Sequence, residues 1–262
     1  MARGDVEFDF QRYVALRRGQ AEKRARDGAA YAYRGEHRIR RTLTVARPVA
    51  IAIEATVRLW QSKARDELFA SGVKATGADH PRAHQLVARA AKVLGIPAPP
   101  TYVAGEGREV LALGTDEEAY LVVPAKALDS FDDAELSFAL GHALGHVHNG
   151  QVVLTTALYY LSHDAAFYVR WVVQPAILAL KGWLRRAEIT CDRAGLLASP
   201  SLDAATAVLD KQGVRGGRRD KRLAALRLFA DSAFFRAHAG TGPGGLSATE
   251  LDDEVAKIVS LL

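Results

Sequence analysis

Leu140-Gly141-His142-Ala143-Leu144-Gly145-His146-Val147-His148-Asn149-Gly150 places two histidines four residues apart inside an apolar run that begins near Asp132. On a helix, positions i and i+4 share one face, so His142 and His146 can point two imidazoles at one metal ion. Zinc peptidases carry His-Glu-x-x-His in this arrangement, with the Glu as general base. Here Ala143 stands in that place.

The spacing alone is a weak signal, and the chain supplies a decoy in His80-Pro81-Arg82-Ala83-His84. A proline in the first helical turn puts His80 outside the helix, so the shared-face argument fails there. His142 and His146 lie mid-helix, and the small Gly141 and Gly145 beside them let another backbone approach closely. A tetrahedral zinc site with one open position needs a third ligand. Glu188 is the best candidate, on a predicted helix with Asp192 one turn later on the same face. Glu188 would bind the metal, and Asp192 would accept a hydrogen bond from a ligand imidazole and fix its tautomer.

Working outward, the spacing predicts an amphipathic helix over 8–27, ended by Gly28, and a second from Pro48 to about Ala70. Residues 31–45 give no clear assignment. These first 72 residues read as a basic helical N-terminal extension, with residues 73–262 as the main domain. A helix follows from Pro81 to Leu94, then three short strands at Thr101–Ala104, Glu109–Leu113 and Ala119–Val123. Ser130 or Asp132 can cap the histidine helix. Residues 152–184 are the most apolar part, but Arg170, Gln174, Pro175 and Lys181 make them a poor membrane span. Helices are expected over 202–211 and 218–237, separated by the basic loop Arg215–Arg219, and a last one is capped by Ser247 or Thr249. The fold class is α+β, mostly helical, with a small β-sheet and an active-site helix.

Lys and Arg number 35 against 30 Asp and Glu, a net +5. Residues 1–70 hold 15 basic against 9 acidic groups, so the excess sits in the N-terminal quarter. That suits a solvated helix face or docking to an acidic partner or anionic membrane. No motif of a nucleic-acid module is present. With one cysteine, Cys191, no internal disulfide forms, which suits a reducing compartment. The N-terminus lacks the apolar core of a secretory signal. The expected location is cytoplasmic, with peripheral membrane contact through 152–184 or the basic N-terminal region.

The stretch from about His80 to Gly195 resembles the catalytic domain of the HtpX-type and CAAX-prenyl-endopeptidase family of gluzincin metallopeptidases. The carrying features are Leu94-Gly95-Ile96-Pro97, Val122-Val123-Pro124, Asp133-Ala134-Glu135-Leu136 leading into the histidine stretch, and Glu188-Ile189-Thr190-Cys191-Asp192-Arg193. The resemblance implies one Zn2+ per chain held by His142, His146 and Glu188, with Asp192 behind them. It also implies a peptide or protein substrate lying along Glu109–Leu113. There are three departures. Ala143 replaces the catalytic Glu. The C-terminal His-Pro and nearby Arg are missing, which leaves His238, followed by Ala239, as a weak candidate transition-state donor. Cys191 lies three residues after Glu188 and reads as a small core residue that could approach the metal.

Hydrolysis needs a base to deprotonate the attacking water and pass the proton to the leaving amine. Alanine can do neither. The expectation is a zinc-dependent endopeptidase inactivated at one position, either by an engineered replacement of Glu, which the intact ligand set favours, or as a natural pseudoprotease that binds a peptide or partner without cutting.

Overall fold

The computed structural model describes residues 29–163 and 167–260, so the helix expected over 8–27 lies outside the described residues. The fold is mostly helical with one small sheet. Helix α1 (Arg34–Thr44) is followed by α2 (Arg47–Leu59), which runs through a π-turn at Trp60–Ala64 into α3 (Arg65–Ser71). After strand β1 (Val73–Lys74) comes α4 (Pro81–Leu94), closed by Gly95 in the left-handed region at φ 65°. Strands β2 (Thr101–Val103), β3 (Leu111–Gly114) and β4 (Ala119–Val123) follow. The sheet order is β1-β2-β4-β3, with β2 parallel to β4 and β3 antiparallel to it, so β3 lies at one edge.

Helix α5 (Ala125–Ser130) leads into α6 (Asp133–His148), the spine of the molecule. A reciprocal capping box starts α6: Asp132 accepts from the Glu135 amide at 2.8 Å, and Glu135 accepts from the Asp132 amide at 2.8 Å. This satisfies two otherwise orphaned amides. Leu136, Leu140 and Leu144 on α6 are fully buried. At the other end, the Asn149 and Gly150 carbonyls accept from the Arg40 guanidinium on α1, and the Asn149 side chain accepts from the Ala29 amide. Residues 29–44 are therefore built into the C-terminal end of the histidine helix.

Helix α7 (Val152–His163) and the long α8 (Phe167–Ala198) complete the central layer. Then come α9 (Leu202–Lys211), α10 (Gly216–Ala230), α11 (Ala233–Ala239) and α12 (Ala248–Ser260). The single helix expected over 218–237 is broken at Asp231-Ser232, because the Ser232 hydroxyl caps α11 by accepting from the Phe235 amide. Among the described residues no helix is long and apolar enough to cross a membrane.

Helices α6 and α8 meet through small residues. A Cβ added at Gly141 would lie 2.5 Å from the Ala198 Cβ, and one at Gly145 would lie 2.9 Å from the Cys191 Cα. On the other helix, a Cβ at Gly195 would lie 2.9 Å from the Phe138 carbonyl oxygen. This close approach sets the distance between the histidines of α6 and the acids of α8.

Candidate metal centre

His142 and His146 lie on one face of α6, with ring centroids 5.3 Å apart. His142 Nδ1 is 2.9 Å from Asp192 Oδ1, and His146 Nδ1 is 2.8 Å from Gln151 Oε1. A carboxylate and an amide oxygen can only accept, so each Nδ1 carries the proton. Each Nε2 is left with its lone pair, the form in which imidazole binds a metal. Burial and the neighbouring His142 push the His146 pKa down to about 3, so this ring stays neutral across the physiological range.

Two acids on α8 face two arginines on α10, each pair spaced i, i+4. Arg222 donates to both Asp192 oxygens, Nε to Oδ2 at 2.7 Å and Nη2 to Oδ1 at 2.5 Å. Arg218 donates through Nε and Nη2 to the two oxygens of Glu188, and Arg222 Nη1 is 3.5 Å from Glu188 Oε1. Burial alone would raise the Asp192 pKa, but the charge and hydrogen bonds of Arg222, with the bond from His142, outweigh it and hold the carboxyl below its usual range. Burial would likewise lower the Arg222 pKa, and the charges of Asp192 and Glu188 reverse it. Asp192 is thus an ionised acceptor fixed behind His142.

His142, His146, Glu188 and Arg218 line one end of a cavity of about 540 Å³ whose wall includes Glu109–Leu113. None of the described residues 29–72 lines it. Ala143 is fully buried in the apolar core beneath.

Cys191 has its ligand-type atom within 4.8 Å of those of His142 and His146, a cluster that leaves out Glu188. Proximity misleads here. The Cys191 thiol donates to Gln151 Oε1 at 3.4 Å, the oxygen that also faces His146 Nδ1, so the sulfur sits on the Nδ1 side of that ring. Burial, then the nearby acids, raise the Cys191 pKa well above the ordinary thiol value, which disfavours the thiolate a metal requires. Glu188 lines the same cavity as the two rings, with its carboxylate held by Arg218.

His238 is not brought to this site. It lies exposed on α11, with Nε2 3.1 Å from the Leu197 carbonyl oxygen, and does not line the cavity. His80, at φ 54°, and His84 belong to the start of α4. Gln151, Arg218 and Arg222 escape the sequence reading. The signal for the arginines was their i, i+4 spacing, the same as that of Glu188 and Asp192.

A profile of peptidase family M48 matches residues 78–238. That span holds the histidine helix, both acids and both arginines, and the chain belongs to this family of zinc metallopeptidases. Among curated proteins, the plastoglobule-localized metallopeptidase 48, chloroplastic, of Arabidopsis thaliana is 30% identical over 134 residues. The alignment covers 49% of this chain and 39% of that protein, so this chain spans well under half of its relative. No solved structure matches.

Proposed function

We propose that this chain holds one zinc ion between His142 Nε2, His146 Nε2 and the Glu188 carboxylate, at the end of a peptide-binding cleft of HtpX type whose endopeptidase chemistry is disabled at position 143. The observation that carries the reading is the backing of both rings: Asp192 and Gln151 occupy Nδ1 and leave both Nε2 atoms for the metal. Zinc bound there would supply Lewis-acid polarisation of a scissile carbonyl. Glu188 would exchange its Arg218 partner for the metal, while Arg222 would keep its grip on Asp192 and so on His142.

An extended peptide would pair with the edge of β3. Part of that edge is already taken: the Gly114 amide donates to Thr156 Oγ1 at 3.0 Å, and the Ala112 carbonyl accepts from Thr155 Oγ1 at 3.4 Å. The pairing groups left to a substrate lie toward Glu109–Leu111. With a methyl group at position 143, nothing there takes a proton from water or returns it to the leaving amine. Loss of a general base removes roughly 10²–10⁴-fold of rate, more where groups act together. The chain therefore binds its peptide and holds it uncut.

The test is a matched pair, this chain and Ala143→Glu, with zinc per chain measured in both and casein digestion followed with and without a chelator. One zinc in each, with chelator-sensitive cleavage only in the Glu form, is the expected result. Zinc in both with cleavage in neither would favour a pseudoprotease that works by binding alone. Absence of zinc from both would overturn the ligand assignment.

A further inference from the structure

The cavity does not end at the histidines. On α8, Lys181, Leu184 and Arg185 precede Glu188 by seven, four and three residues and line the same cavity, so they share its helix face. Lys181 lies about 10 Å along the axis from Glu188. On α7, Leu158 and Ser162, four residues apart, line the same cavity. The middle of this channel is apolar, through Leu158 and Leu184.

Its lining holds three cations against two acids. The charged lining groups are Lys181, Arg185, Arg218, Glu109 and Glu188. Glu188 already faces Arg218 and Arg222, so within the lining it is not left to offset the charge of Lys181, seven residues before it. Lys181 has no ion partner among the described residues. The Ser162 hydroxyl oxygen, in the same lining, is buried and has no hydrogen-bond partner among the described residues. A buried polar group without a partner is costly, and a ligand that supplies an acceptor relieves that cost.

Taking the cavity as the peptide cleft proposed above, we propose that the channel between α7 and α8 is a specificity subsite for a carboxylate on a short apolar reach, bound by Lys181 and the Ser162 hydroxyl. An acidic side chain and a peptide's C-terminal carboxylate offer this same chemistry. Leu158 and Leu184 flank the stem and the cations receive the charged end. A neutral side chain of the same size leaves Lys181 and Ser162 unanswered, which is how a polar site rejects an analogue lacking the matching group.

Because this chain does not turn peptide over, the subsite is measurable at equilibrium. Fluorescein-labelled Ala/Leu heptapeptides, in which one Glu is moved through each position, would be compared by anisotropy with their Gln counterparts. Each would be made as free acid and as C-terminal amide, and tested on the zinc-loaded full chain. The expected result is that one Glu position binds about 10-fold tighter than Gln, or that the free acid binds about 10-fold tighter than the amide, the two outcomes identifying the source of the carboxylate. Lys181→Met should abolish that preference while leaving zinc content and affinity for the neutral peptide unchanged. Lys181→Glu should transfer the preference to a Lys-bearing peptide, which a merely structural role would not do. Equal binding of acidic and neutral peptides would overturn the subsite and leave the cleft standing, as would a preference that survives Lys181→Met. Failure of every peptide to bind would overturn the peptide cleft, and the subsite with it.

Discussion

Replacing Gly141 with alanine should destabilise the protein, although glycine is a poor helix former. In an exposed helix the change would gain about 1 kcal/mol of propensity. Here the new methyl would lie 2.5 Å from the Ala198 Cβ and 3.0 Å from both the Ala194 carbonyl oxygen and the Gly195 Cα. Two of these three neighbours are backbone atoms of α8, which cannot rotate aside, so the helices must part by on the order of 1 Å to reach ordinary carbon contact. Overpacking of this kind costs roughly 1–3 kcal/mol, occasionally more. Because the backbone neighbours cannot yield, the cost belongs in the upper part of that range, about 2–3 kcal/mol, and the net loss is about 1–2 kcal/mol, a fall in Tm of roughly 2–8 °C for a chain of this size. Gly182 on α8 is the internal control. A Cβ there meets nothing within 4 Å, so Gly182→Ala should raise Tm by a few degrees. The same parting pulls His142 and His146 away from Glu188 and Asp192, so zinc affinity, read by chelator competition, should drop about 10-fold or more in Gly141→Ala and stay level in Gly182→Ala. A Gly141→Ala protein as stable as the parent, with unchanged zinc affinity, would refute the close approach of α6 and α8.

Asp192→Asn keeps the side chain's shape but removes the charge opposite Arg222, which is 5% exposed. Stripping one partner from a buried ion pair costs about 3–5 kcal/mol, read as a lower denaturant midpoint, and Asp192→Leu with Arg222→Met should recover much of it. The metal-free protein should be sensitive to mild acid. The His146 pKa falls from 6.5 to about 3 on folding, so its contribution is complete above pH 6.5 and is lost as pH drops toward 3, by up to about 5 kcal/mol. His146→Asn should flatten the stability curve in that window, and parallel curves for the two proteins would rule out the buried neutral imidazole. Loss from Asp192, whose pKa is lowered from 3.8, falls below that value and is separable.

The sequence was most legible where several local signals agree. Helix α6 has its capping box, its leucines at helical spacing and its glycines beside the histidines, and all of these describe one buried helix with one neighbour. Helix α1 was not legible. It has no side-chain cap, and only Glu36, Arg40 and Leu43 are buried. Two of those are charged, so the residues turned inward do not form an apolar stripe. They are there for partners 100 residues or more away: Glu36 accepts from Trp183 Nε1 at 2.7 Å, and Arg40 caps α6. Such contacts leave no periodic trace. The site shows the same division. Glu188 and Asp192 were readable because they follow a pattern within one helix. His238 was taken from the family resemblance, whereas the groups that meet the acids are Arg218 and Arg222, which read as part of a basic loop and the helix that follows it.

These arginines would also let the fold stand without the proposed metal. A small zinc module holds its ligands together only through the ion and unfolds when stripped. Here each acid has a guanidinium partner, each histidine has an acceptor behind it, and α6 and α8 are held together by backbone contact across Gly141, Gly145 and Gly195. The geometry of the proposed metal site would thus be set by packing before any ion arrived. At Glu188 an ion would have to compete with Arg218, a side chain half exposed to solvent and so readily displaced. Asp192 and Arg222 are almost fully buried and have no such freedom. On the proposed reading, one acid would be held loosely enough to become a ligand, and the other tightly enough to remain the support of His142. The same i, i+4 spacing on both helices produces that difference, because Arg218 lies in the first turn of α10 and is half exposed, whereas Arg222, one turn further on, is buried.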